Sequence, residues 1–170
     1  MSEASPGECR IVSLEWDRGH ESLTAIVRAE SPSGLVLTEV DDLTELPGRR
    51  WIRADEVIEL EDLAADDPAR RLAERHGSLV DATDAEPADL EALLDHLQES
   101  SAPVAVYSSR TGSDECLVGT IKRVTPDLLV LAEIDINGTV TGDTLEISPD
   151  QIIGVDWDTN YLTALTELLA

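Results

Sequence analysis

The sequence predicts a mainly β protein with short helices, built as two tandem five-stranded small barrels, each followed by a helix. Three observations predict it: an internal repeat, a cadence of short apolar runs broken by turn residues, and three leucine- or alanine-bearing helical segments. The repeat is clearest where Leu35–Asp41, LVLTEVD, returns as Leu129–Asp135, LVLAEID, with five of seven positions identical. Its flanks agree: Ile26-Val27-Arg28-Ala29 matches Ile121-Lys122-Arg123-Val124, and Asp55-Glu56-Val57-Ile58 matches Asp150-Gln151-Ile152-Ile153. Both flanks sit at an offset of 95 and the central block at 94, which predicts one more residue in the Glu30–Gly34 turn than in Thr125–Leu128. A duplicated unit of this size means two similar small folds rather than one large one.

The expected strands of the first unit are Arg10–Trp16, Ser22–Ala29, Leu35–Asp41, Arg49–Ile52 and Glu56–Leu60. Those of the second are Val104–Ser108, Cys116–Val124, Leu128–Asp135, Asp143–Ile147 and Ile152–Trp157. Turn chemistry separates them: Asp17-Arg18-Gly19-His20 and Ser109–Glu115 after the first strand, Ser31-Pro32-Ser33-Gly34 and Thr125-Pro126-Asp127 after the second. Leu46-Pro47-Gly48 and Ile136-Asn137-Gly138 precede the fourth. Curling each five-strand set into a barrel would remove open edges.

Helices flank the strands. Glu86–Glu99 places Leu90, Leu93, Leu94 and Leu97 on one stripe, with Pro87 suited to the first helical position. Asp67 caps a shorter helix running to about Arg75. The last, Asn160–Leu169, carries Leu162, Leu165, Leu168 and Leu169 behind a cap at Asp158 or Thr159. The polar stretch from Gly77 to Glu86 reads as a linker. The domain expectation is therefore 1–77 for the first barrel and its helix, 78–86 for the linker, and 87–170 for a helix, the second barrel and its helix.

Length and composition are consistent with this. A chain of 170 residues accommodates two units of about 75–85 residues each. The net charge is −24, with −11 in residues 1–85 and −13 in residues 86–170. A field of that sign repels phosphate backbones, so nucleic acid is not the expected partner. No apolar run is long enough for a membrane helix. The polar, acidic start lacks the basic-then-apolar pattern of a secretory signal, so the expected compartment is the cytoplasm. Cys9 and Cys116 stand at unmatched places in the two units and read as reduced thiols.

Catalytic signatures are missing. His20, His76 and His96 have no metal-ligand spacing, and no Gly-rich phosphate loop or nucleophile elbow occurs. Acidic pairs such as Asp41-Asp42, Asp66-Asp67 and Asp156/Asp158 are expected by number alone among 36 carboxylates. No catalytic residue, cofactor site or metal site is assigned, and no enzyme activity is expected. Only five aromatics occur. Of these, Trp51, Trp157 and Tyr161 are the candidate interface residues, because aromatic side chains anchor protein contacts.

A helix followed by five short, bent strands resembles the Sm-like small β-barrel family, or more broadly the SH3-like barrels. Leu117-Val118-Gly119-Thr120-Ile121 followed by Leu129-Val130-Leu131 looks like that family's first motif, and Thr24 stands where Gly119 does. The resemblance implies single-stranded RNA binding and ring assembly. Its RNA pocket uses an Asp-x-apolar-Asn turn and a basic turn between the last two strands. Here those turns read Thr125-Pro126-Asp127-Leu128 and Ile147-Ser148-Pro149-Asp150-Gln151; in the first unit only Arg53 is basic. The expectation is thus an acidic paired-barrel adaptor, a binding module for a protein partner. The alternative is an RNA-binding Sm-like protein with a degenerate pocket, which a local arginine-lined pore from Arg28, Arg53 and Arg123 would favour. Tethering should let the two units pack together within one chain, which would then be a monomer or small homo-oligomer.

Overall fold

A computed structural model describes residues 10–16, 21–41, 44–45, 48–76, 87–112 and 115–169. The fold is mainly β with three short helices. The first half holds β1 (Arg10–Trp16), β2 (Glu21–Glu30), β3 (Gly34–Asp41), the two-residue β4 (Thr44–Glu45), β5 (Arg49–Arg53), β6 (Val57–Asp62) and α1 (Pro68–His76). Then come α2 (Leu90–Ser100), β7 (Pro103–Ser108), β8 (Leu117–Thr125), β9 (Leu128–Ile134), β10 (Val140–Ile147), β11 (Ile152–Trp157) and α3 (Asn160–Leu169). The expected Asp17–His20 turn, the Leu46-Pro47 pair, Cys9 and the 78–86 linker lie outside the described residues.

The strands form one antiparallel sheet in the order β10-β9-β8-β7-β11-β5-β3-β2-β1-β6, with β4 against β3. This corrects the expectation of two closed barrels. Closing the first set would need β5 to pair with β6, but the outer edge of β5 is taken by β11. Closing the second would need β11 to pair with β10, but β11 already lies between β7 and β5. The path is therefore open, and its two ends are β10 and β6.

Within each half the strand order is the same, and so is the register. Val27 faces Leu37 and Ile121 faces Leu131, each just before a one-residue bulge. Leu14 faces Leu60 and Val106 faces Val155, again beside matching bulges at Ile58 and Ile153. A short 3₁₀ turn, Ala54–Glu56 or Pro149–Gln151, precedes the last strand of each set. Bulges re-aim side chains at fixed places, so their coincidence is strong support for duplication. The same ladders correct the expected alignment. Val27, not Ile26, is the counterpart of Ile121, and Ala25, not Thr24, that of Gly119. The 31–34 and 125–128 turns are equally long, and the extra residue lies instead between β9 and β10. The one-residue difference matters because it exchanges sheet faces. Ile26 packs outward on Ile11 and Ala73 of α1, whereas Val27 joins the inner cluster.

Alternation along the strands builds the core. In the first half Val12, Leu14, Leu23, Ala25, Leu35 and Ile52 meet in one buried cluster. In the second, Val104, Val106, Ile121, Leu129, Leu131 and Ile152 do the same, joined by Leu93, Leu94 and Leu97 of α2. Helix α2 begins at Leu90 rather than at Glu86, because the Asp89 carboxylate caps it by accepting from the Glu91 and Ala92 amides. Asp67 caps α1 by accepting from the Ala69 amide at 2.8 Å, as expected. Thr159 caps α3 through its hydroxyl, which accepts from the Leu162 amide at 3.3 Å, while Asp158 adopts a positive φ of 54°. Helices α1 and α3 each cover the outer face of their own half, α3 through Leu162 and Leu165 on Ala105 and Ile134. At Gly119 a Cβ would meet the Ala132 carbonyl oxygen at 2.4 Å, so the β8–β9 approach requires glycine.

Candidate functional site

The halves meet at the β11–β5 ladder, where Gly154, Val155, Asp156 and Trp157 face Ile52, Trp51, Arg50 and Arg49. The Arg50 guanidinium donates twice to Asp156, Nε to Oδ1 at 2.7 Å and Nη2 to Oδ2 at 2.9 Å. The Tyr107 hydroxyl donates to the same carboxylate at 2.8 Å. Arg50 also lies over the rings of Trp16 and Tyr107, at 5.5 and 5.7 Å from their centroids. Those two rings meet edge to face. Strands β1, β5, β7 and β11 thus contribute one side chain each to a cluster in which a planar cation is held by a two-oxygen acceptor and two aromatic faces.

Electrostatics follow from the packing. Burial alone would lower the Arg50 pKa, but the hydrogen bonds and charge of Asp156 outweigh it and raise it, so Arg50 is always charged. Burial raises the Tyr107 pKa, and the adjacent Asp156 charge raises it further, so the phenol stays protonated. Neither Arg50 nor Tyr107 is poised to exchange a proton near neutrality. Its chemistry is that of a fixed ionic clamp.

Two further contacts lock the seam. The Trp51 indole N–H donates to the Ala88 carbonyl at 2.8 Å, tying β5 to the segment leading into α2. Arg53 donates to the Asp150 and Ile152 carbonyls across the junction and to Asp55 and Glu56 on its own side. A cleft of about 240 Å³ opens over the seam, lined by Glu39, Arg49, Arg50, Asp156, Asn160 and Tyr161 among others. With two arginines and two carboxylates at its walls, it has no net charge to select an ion. A second groove of about 250 Å³ runs between Leu90 and Leu94 of α2 and Val124, Pro126 and Pro149.

The candidate interface residues are distributed unequally. Trp51 and Trp157 are buried in the core, Trp51 completely, where they serve contacts inside the chain. Tyr161 is half exposed on the cleft wall. Cys116 is exposed, and His96 is exposed on α2. The side chain of His76 and all of His20 lie outside the described residues. The three arginines of the imagined pore are not brought together. Arg53 is committed to the seam, Arg28 donates to the Thr38 hydroxyl, and four strands lie between β8, which carries Arg123, and β2 in the sheet. Sequence reasoning missed the Arg50–Asp156–Tyr107 cluster. The available signal was an Arg-Arg pair in one unit's fourth strand and a lone Asp in the other unit's fifth.

Among the described residues, no group of three or more His, Cys, Asp or Glu side chains could hold a metal ion. Nor is any helix among them long and apolar enough to cross a membrane. No family model, curated protein or solved structure matches the chain.

Proposed function

We propose that the chain is a non-enzymatic binding module, an acidic adaptor built from a tandem pair of Sm-like, SH3-like β units and directed at a protein partner. The observation that carries this is the division of labour among its edges. One edge of each half is consumed in the β5–β11 seam, and the other edge of each, β6 and β10, ends the sheet with carboxylates exposed along it. Exposed sheet edges are templates for strand addition by a partner chain. The domain division at 78–86, a cytoplasmic location, a monomeric or small homo-oligomeric state, and the lack of cofactor, metal and catalytic residues belong to the same proposal.

The alternative, an RNA-binding Sm-like protein, draws on the shared strand order. It is disfavoured because Arg53, the basic residue available in the last turn of either unit, is already donating to four groups. Titration of the full chain with fluorescent uridine-rich and adenosine-rich oligonucleotides at physiological salt tests the choice. We expect no binding in the micromolar range. Micromolar affinity, or partners lost from a pull-down on ribonuclease treatment, would replace the adaptor with the RNA-binding reading.

A further inference from the structure

The repeat supplies its own template for what the outer edge of β6 accepts. By register, β6 is the counterpart of β11: Glu59 corresponds to Gly154, Leu60 to Val155 and Glu61 to Asp156. The outer edge of β11 pairs with β5, and there Arg50 stands opposite Asp156 and clamps it. Strand β6 pairs with β1 alone among the described strands, so its outer edge is the counterpart of one already shown to take a strand. Its side chains differ in one direction only. Where β11 offers a glycine and one aspartate on the outward face, β6 offers Glu59 and Glu61, both exposed, with Glu15 of β1 directly opposite Glu59. Opposite charges directly across a ladder attract, so a third strand carrying cations would pair with Glu59 and Glu61.

The outer edge of β10 does not supply those cations. Strand β10 is the counterpart of β5, and in the seam register its Ile147, Glu146 and Leu145 would face Glu59, Leu60 and Glu61. Leu145 stands where Arg50 does, so a second copy would bury carboxylates against apolar side chains. Resting on the adaptor reading, we propose that β6 is a docking edge for an extended, basic segment of a partner protein. That segment adds as an antiparallel strand, placing basic, apolar and basic residues opposite Glu61, Leu60 and Glu59.

The probe is a blocked peptide with the 48–54 sequence of β5, carrying arginine in place of Ile52, titrated against the full chain by fluorescence anisotropy. We expect saturable binding that weakens at least tenfold in the Glu59→Lys/Glu61→Lys variant. Binding should return when the peptide's two outward arginines become glutamates, which also shows that the variant is folded. A peptide N-methylated at alternate residues, unable to donate to the edge, should lose binding. Equal binding by a peptide of the same composition in permuted order would reduce the effect to bulk charge and overturn the proposal. So would light scattering that finds chains associated through β6 with each other. A protein partner that the Lys variant still retains would overturn the β6 assignment but leave the adaptor standing. An RNA partner would remove the adaptor itself.

Discussion

Removing the Asp156 carboxylate tests whether the two halves are held by the clamp at their seam. The Asp156→Ala change leaves the Arg50 guanidinium largely buried, its side chain only 18% exposed, with Glu39 at 3.9 Å. Breaking a buried pair by deleting one partner costs about 3–5 kcal/mol. The partial exposure of Arg50 and the surviving Glu39 reduce that, so we expect about 2–3 kcal/mol, or about 5–10 °C in Tm for a chain of this size. The Tyr107 hydroxyl loses its acceptor in the same variant, which adds to the cost rather than offsetting it. Replacing both charges, Arg50→Met with Asp156→Leu, removes the stranded cation and should cost less than Asp156→Ala alone. Chemical denaturation of the native chain, Arg50→Met, Asp156→Leu and the double variant gives the coupling, expected to be above ~1 kcal/mol. A loss under ~0.5 kcal/mol for Asp156→Ala, the scale of an exposed surface pair, would refute the clamp.

Three other perturbations read different parts of the fold. Trp51→Ala removes a fully buried side chain and the bond to Ala88, and should cost about 3–5 kcal/mol in denaturant unfolding; Trp51→Phe should recover part of the packing but not the hydrogen bond. Gly119→Ala forces a Cβ against the Ala132 carbonyl and should cost about 1–3 kcal/mol or shift the β8–β9 register, visible in the amide spectrum. Tyr107 has a folded-state pKa above its ordinary value near 10, so its contribution is fully present below about pH 10 and is lost as pH rises towards the folded value. Stability of the native chain should therefore fall more steeply above pH 10 than that of Tyr107→Phe, and parallel pH profiles would contradict the assignment.

Much of the fold is legible in the sequence for a local reason. Short apolar runs bounded by turn residues specify strands whatever their neighbours are. The LVLTEVD and LVLAEID runs became β3 and β9 in this way, with Leu35–Leu37 and Leu129–Leu131 buried on both faces. Pro, Gly and Asp at the turns, and Asp67 ahead of α1, act within a few residues of themselves. The extra residues at the start of α2 were misjudged because Pro87 and Ala88 have helix-compatible identities. Their conformation answers instead to Trp51, which is 37 positions away and needs the Ala88 carbonyl.

The sequence by itself determined that this is a duplicated, acidic, strand-rich chain with short amphipathic helices. Tertiary structure decided how the ten strands are joined. Whether five strands close on themselves or pair with another five is a choice between partners for the edge of β5, and no local pattern encodes it. Arg50 and Asp156, 106 residues apart, meet only once β5 and β11 lie side by side. By occupying those two edges, the same pairing leaves β6 and β10 as the ends of the sheet.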